Sequence, residues 1–357
     1  MKKYLIFIMV IFSFVFAVSC SFRKKGEVYE IALITEGEID DKSYNQGAWE
    51  GLLQYADNND KTYKYYRASA KTTESYIEVI DLAVYNGAKL IITPNYLFET
   101  AVYKAQDKYP KVTFIIIDGI PQDGTYSDSR IENNTYSILY AEEQAGFLAG
   151  YAITKEGYTN LGVMGGMEVP PVLRFGYGFL QGVNYAAKEM NLSPRDVEVN
   201  YTYVNSFEAS YKSKVLADSW YKSGVQVIFA PAGGVVNSVI DSAEENNGWV
   251  IGVDVDQSFE SPTVITSAIK KIKESVYNAV DSFYNGSFVG GKKIVLDVKV
   301  NGVGLTIRTS HFQQFTENDY NIVYQKLVDG SITVLKDTDV RSLGDLPLDI
   351  VKVNYIK

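Results

Sequence analysis

Apolar and polar residues follow one another along this chain in blocks of two lengths. Short runs such as YEIALIT (29–35), KLIITP (89–94) and VTFIIID (112–118) are almost continuously apolar and rich in β-branched residues, the pattern of parallel strands covered on both faces. Longer stretches with helical spacing lie between them. In ESYIEVIDLAVYNG (74–87), Ile77, Ile80, Ala83 and Val84 fall on one helical face, and Gly87 stands where a C-cap is needed before the next strand. With YKYYRAS (63–69) and the helical stretches 45–59 and 96–109, this half reads as a βαβ series with right-handed crossovers.

A polar linker, PQDGTYSDSRIENN (121–134), interrupts the rhythm, which then restarts. LGVMGG, VEVNYTYV, VQVIFAPAGG and WVIGVDVDQ read as strands, each of the first three followed by a helical stretch. AEEQAGFLAGYAITKEG (141–157) is expected as a helix just after the first crossing between halves. TVITSAIKKIKESVYNAV (263–280) is expected to return to the first half, and IVLDVKVNGVGLTI (294–307) to form a hairpin turning at Asn301-Gly302. Two similar α/β halves predict a bilobal protein with a cleft between the lobes. The expected division puts residues 29–138 with about 261–288 in the N-terminal lobe, and 139–260 with about 289–357 in the C-terminal lobe.

Composition narrows the chemistry. The chain has 357 residues and a net charge of −9, a poor match to nucleic acid, which needs clustered Lys and Arg for its phosphates. One His and one Cys exclude a His-rich zinc cluster, a CxxC redox pair and an internal disulfide. His311, in RTSHFQQF, has no nucleophile elbow to serve. No metal and no cofactor is expected, and no bond cleavage.

In open parallel sheets ligands meet the carboxyl ends of strands, so the residues following each run are the candidates. EGEIDDKSYNQ (36–46) offers Asp41, Tyr44 and Asn45; VTFIIID ends at Asp118; NSFEAS carries Phe207. Asp41 and Ser43 would equally serve as caps of a helix beginning near Asn45. Tyr44 is one of 28 tyrosines, so its presence alone proves little; paired with Phe207 from the other half, it could sandwich a flat ring. Gly233 and Gly234, in PAGGVV, let backbone N–H groups approach a ligand, without forming a Walker A or GxGxxG motif. Asp254 and Asp256 lack the further carboxylates of a calcium loop; Asp254, at a strand end, suits two hydroxyl groups of a sugar. Lys270 could donate to the same hydroxyls or stand exposed on a helix.

The N-terminus, MKKYLIFIMVIFSFVFAVSC, has two lysines, an apolar run from Tyr4 to Val18, and small Ser19 before Cys20, the pattern of a signal peptide. AVSC resembles the lipobox of bacterial lipoproteins, with Ala17 where Leu is commonest. Residues 1–19 are thus expected to be a lipoprotein signal peptide, Cys20 the lipidated residue, and 20–28 a tether.

The ordered series DDKSYNQ, FIIIDG, AGFLAGY, GVMGG, GFLQGV, APAGG, VIGVDVDQ and TSAIKK resembles the basic membrane protein family of bacterial lipoproteins, the purine nucleoside receptor A-like family, over roughly residues 31–310. The resemblance implies a type I periplasmic-binding-protein fold: two Rossmann-like lobes with parallel sheets joined by a hinge. It implies a lipid-anchored protein of the bacterial cell membrane, facing the periplasm or exterior, that captures purine nucleosides for an ABC transporter permease. The family's stacking aromatics fall at Tyr44 and Phe207. Its base-contacting polar positions fall at Asn45, Asp41 and Asp118, and its ribose-binding set at Gly233 or Gly234, Asp254 and Lys270. A sugar or signalling-ligand receptor of the same fold, and an adhesin-type surface lipoprotein with a vestigial cleft, remain the alternatives.

Overall fold

The computed structural model describes residues 28–356, so the expected signal peptide, Cys20 and nearly all of the tether lie outside the described residues. Strands β1 (Ile31–Thr35), β3 (Leu90–Pro94) and β4 (Thr113–Ile117) are buried at every position, as their unbroken apolar runs require when both sheet faces are covered. They form the middle of a six-stranded parallel sheet with β2 (Tyr63–Arg67), β5 (Thr135–Tyr140) and β11 (Lys292–Leu296), in the order β11-β5-β4-β3-β1-β2. The two edges, β2 and β11, are the strands that carry charge and partial exposure.

The second sheet has the order β12-β10-β9-β8-β6-β7-β13. It comprises β6 (Asn160–Gly165), β7 (Val197–Tyr203), β8 (Val227–Phe229), β9 (Trp249–Asp254), β10 (Val264–Lys270), β12 (Val303–Leu305) and β13 (Val351–Tyr355). Only β12, against β10, is antiparallel. In each sheet the strand order reverses beside the first strand of its lobe, between β1 and β3 and between β6 and β8, where an open α/β sheet leaves a crevice.

Helices cover both sheets. In the first lobe these are α1 (Tyr44–Asn58), α2 (Thr73–Tyr85) and α3 (Glu99–Lys108). The remainder are α4 (Glu142–Lys155), α5 (Pro170–Glu189), α6 (Tyr211–Lys222), α7 (Val235–Asn246), α8 (Ile272–Tyr284) and α9 (Glu317–Val328). Hydroxyl caps set several starts: Thr72 accepts from Ser75 N–H for α2, Ser210 from Ser213 N–H for α6, and Thr316 forms a capping box with Asp319 for α9.

AGFLAGY and GYGFLQG owe their glycines to packing. A Cβ at Gly150 would lie 2.0 Å from the Phe179 carbonyl oxygen, and one at Gly182 2.0 Å from that of Phe147. Helices α4 and α5 therefore cross backbone to backbone, a distance that only glycine permits.

The strand pairing redistributes residues that the sequence pattern assigned differently. Within 261–288, β10 pairs with β9 in the second sheet, and only the following helix, α8, packs against α1 of the first lobe. Residues 292–296 join the first sheet beside β5. The expected hairpin at Asn301-Gly302 does not form: Asn301 turns the chain at φ 54°, but Leu296 and Val303 lie in different sheets. A turn residue reverses direction locally; which sheet accepts the next strand depends on partners elsewhere. Strand β5 hides behind the polar linker, and β13 and α9 also went unpredicted. The chain crosses between lobes at Tyr140 to Glu142, at Lys270 to Ile272, and after Leu296.

Candidate functional site

The carboxyl ends of the two sheets face each other across a cavity of about 560 Å³. The first lobe supplies Glu36, Asp41, Tyr44 and Asn45 from the segment after β1, Arg67 at the end of β2, Asn95 and Tyr96 after β3, and Asp118 after β4. Opposite them stand Val172 and Phe175 of α5, Phe207 after β7, Gly233 and Gly234 after β8, Asp254 and Lys270. All nine expected site residues line this one cavity.

Tyr44 opens α1, and Phe207 lies on the loop between β7 and α6, in the other lobe. Room for Phe207 comes from glycine: a Cβ at Gly166 would sit 2.6 Å from its ring, and one at Gly233 3.4 Å from its Cβ. The glycines of GVMGG and PAGG thus seat an aromatic ring as well as bordering the cavity. Two aromatic faces from opposite lobes and the apolar Val172 and Phe175 make the cavity receptive to a flat, partly apolar ligand.

The polar atoms around these rings are incompletely satisfied. Asn45 Oδ1 is buried without a hydrogen-bond partner, and the buried Tyr44 hydroxyl has only the neighbouring Asp118 carboxylate to bond to; buried polar groups are stable only when paired. Asn45 Nδ2 donates to the Glu38 carbonyl at 3.2 Å. Burial pushes the Tyr44 phenol well above its usual range, with the neighbouring Asp118 carboxylate adding to the effect, so the hydroxyl keeps its proton and is available as a donor.

Asp41 has a structural task as well as a place on the cavity wall. Its carboxylate accepts from the N–H groups of Ser43, Asn45 and Gln46 at 3.0, 2.9 and 3.1 Å, satisfying the free donors of the α1 start. Ser43 does not cap the helix. Its hydroxyl crosses the cleft and donates to Asp254 at 2.8 Å. Gln257 Nε2 also bridges the lobes, to the Lys42 carbonyl at 2.8 Å, and Lys71 pairs with Glu208 at 3.0 Å.

Lys270 is the last residue of β10, with 4% of its surface exposed, which removes the exposed-helix alternative. Its ammonium lies 2.5 Å from Asp118, 3.0 Å from Glu142 and 3.8 Å from Asp254. The rings of Tyr44, Tyr140 and Phe175 surround it, each centroid 5.3 to 5.4 Å away. Burial alone would lower the lysine's pKa, but the carboxylates, Asp118 foremost, raise it above its ordinary value. Burial raises Asp118 and Asp254 above the usual aspartate range, while Lys270 pulls each back toward it. Both aspartates occupy the left-handed region, at φ 55° and 67°, a conformation Asp tolerates better than most side chains.

Asp256 is engaged elsewhere. It accepts from Ser258 N–H at 3.0 Å and from the Thr309 hydroxyl at 2.7 Å, and it does not line the cavity. Sequence reasoning passed over Glu36, Asn95, Phe175 and the pair Glu142 and Arg174. Glu36 and Asn95 follow β1 and β3 directly, a position that could have marked them. Asn95 Nδ2 donates to Glu36 Oε1 at 2.7 Å, leaving Glu36 Oε2 buried without a partner. Among the described residues, no group of three or more His, Cys, Asp or Glu is placed to hold a metal ion, and no helix is long and apolar enough to cross a membrane.

A two-lobed α/β fold with a ligand-sized cavity at the facing strand ends is an architecture that takes a small solute between its lobes. A solute-binding protein of an ABC transporter system from Aeropyrum pernix superposes with a TM-score of 0.74 at 23% identity, over 88% of this chain and 95% of that one. Residues 28–338 match the family described as Bmp, ABC transporter substrate-binding protein PnrA-like, and the chain belongs to that family. It is 30% identical to the ABC transporter nucleoside-binding protein BmpA of Lactococcus lactis subsp. cremoris, over 85% of this chain and 88% of the relative. Basic membrane protein B of Borreliella burgdorferi is 29% identical, over 89% of this chain and 94% of that protein. The chain is therefore the substrate-binding component of an ABC transporter, working outside the cytoplasm in association with the membrane, and its task is binding rather than catalysis.

Proposed function

We propose that this protein is a lipid-anchored receptor that captures a purine nucleoside between its lobes and presents the closed form to its permease. One observation carries the ligand class: Tyr44 and Phe207, from opposite lobes, border a cavity lined by buried polar groups, among them the Asn45 Oδ1 that lacks a partner and the Asp118 carboxylate beside Tyr44. Stacking on two rings contributes about 1–3 kcal/mol for each base face, and the polar groups select a base and sugar able to satisfy them. In this reading Asn45, Asp41 and Asp118 meet the base, and Asp254, Lys270, Gly233 and Gly234 meet the ribose. Closure follows because the ligand touches both lobes at once. The nucleoside named in the relative BmpA supports the same class, and the AVSC stretch at Cys20 supports the anchor.

A thermal-shift panel of nucleosides, free bases and monosaccharides tests the ligand class, since a ligand held only by the folded state raises its stability. Inosine, guanosine or adenosine should raise the midpoint while ribose and galactose leave it unchanged. Stabilisation by sugars alone would overturn the nucleoside reading. Metabolic labelling with a fatty acid, lost in Cys20→Ala, tests the anchor.

A further inference from the structure

Glu142 is 1% exposed and lies outside the cavity, at the start of α4 where the chain crosses from the first sheet into the second lobe. Its partner Lys270 ends β10, where the chain crosses back. The contact of 3.0 Å between them therefore joins two of the crossing segments. Nearby, the hydroxyls of Tyr140 and Ser275, on either side of the same crossings, lie 2.5 Å apart. Oε1 of Glu142 thus has the Lys270 ammonium as its partner, while Oε2 has only the Arg174 guanidinium, 3.6 Å away.

The charges facing Glu142 do not balance. Lys270, from β10, is shared with Asp118 and Asp254. Arg174, from α5, lies 3.6 Å away, but its guanidinium is bonded to Asp337 at 2.6 Å. Glu143, next along α4, is held by Lys336 at 3.7 Å. Asp118 comes from the first lobe, so bringing the lobes together adds a third carboxylate to a lysine already facing two. Three buried carboxylates that share one ammonium are costly when all are ionised, and a proton on one of them relieves that cost.

We propose that Glu142 is a positioning residue of the binding site: it holds Lys270 from the hinge side, and it takes up a proton when the lobes close over a ligand. This rests on the nucleoside reading for its probe only. Burial raises the Glu142 carboxyl above the usual glutamate range, opposed by Lys270. A carboxyl raised in the folded state adds stability at low pH that disappears as pH rises through its folded value. Lys270, released from part of the hold of Glu142 by that proton, is then free to serve Asp118, Asp254 and the ligand hydroxyls.

Calorimetry of inosine binding in two buffers of different ionisation enthalpy measures the proton directly. The wild-type protein should take up a measurable fraction of a proton on binding above the ordinary glutamate range, and its affinity should fall as pH rises, about tenfold per pH unit for each whole proton taken up. Glu142→Gln, nearly isosteric, should show no uptake and a flat profile. Absence of uptake in the wild type, or equal uptake in the variant, overturns the proposal. A ligand-free measurement keeps the test independent of the probe: relative to Glu142→Gln, the wild type should lose thermal stability as pH rises above the ordinary glutamate range. Inosine that binds neither protein sinks the nucleoside reading, and parallel ligand-free pH profiles then sink the proposal for Glu142.

Discussion

The Ser43 hydroxyl, from the first lobe, donates to the Asp254 carboxylate of the second at 2.8 Å, with the serine fully buried and the aspartate nearly so. This bond spans the two lobes, and one of its partners lines the cavity. A hydrogen bond to a buried charge contributes about 1.5–3 kcal/mol, and truncating one partner leaves the other unsatisfied. Ser43→Ala should therefore weaken nucleoside binding by roughly tenfold without altering the far-ultraviolet circular dichroism. Small-angle scattering should show a smaller ligand-induced contraction. Unchanged affinity would mean the bond is replaced by water at no cost.

Tyr44→Ala and Phe207→Ala should each weaken binding by at least about tenfold, near 1.4 kcal/mol, as read by calorimetry. Tyr44→Phe keeps the stacking face and removes the hydroxyl beside Asp118, so its affinity should stay within a few-fold of wild type while the ranking of nucleosides shifts. A Tyr44→Phe variant as weak as Tyr44→Ala would move the weight from the ring to the hydroxyl.

The cavity wall shows what was legible beforehand. Asp118 and Asp254 stand at the ends of strands whose apolar runs are unmistakable, and the rule that ligands meet strand ends directed attention there and to the loops carrying Tyr44 and Phe207. The central strands of both sheets were legible for the same reason. Of the two caps the sequence allowed, Asp41 takes the role and Ser43 does not; only the tertiary approach of Asp254, 211 residues away, assigns the Ser43 hydroxyl. Glu142 was invisible since an acidic residue in a first helical turn is ordinary, and nothing local announces that Lys270 will arrive beside it. Strands β11 and β12 were read as a hairpin because short-range turn chemistry cannot tell one sheet from another.

Gly182 lies outside the cavity, and its substitution separates fold from function. A Cβ there would meet the Phe147 carbonyl oxygen at 2.0 Å and the Tyr151 nitrogen at 2.8 Å, both backbone atoms of α4 that cannot turn aside. Forcing extra atoms into such a contact costs about 1–3 kcal/mol or more. Gly182→Ala should lower the unfolding free energy by an amount in that range, read from denaturant titration, while the fraction that remains folded binds nucleoside normally. Normal stability would show that α4 and α5 can slide apart freely.

Lys270→Met places an apolar chain of similar length where the ammonium stood and strands Asp118, Glu142 and Asp254 together. Removing one partner of a buried ion pair costs about 3–5 kcal/mol, whereas replacing both by apolar or neutral groups is often tolerated. The single variant should therefore lose nucleoside binding and much of its stability. Its stability should recover as pH falls, because burial already raises all three carboxyls and a raised carboxyl favours the folded state at low pH. Adding Glu142→Gln removes the charge lodged deepest in the hinge and should restore part of the stability at neutral pH without restoring binding, since the ligand's contact with Lys270 stays absent. Denaturant titrations of the wild type, both single variants and the double variant give the coupling between the two residues. A coupling near zero would show that Lys270 and Glu142 are neighbours without being partners, and that the cleft and the hinge are stabilised separately.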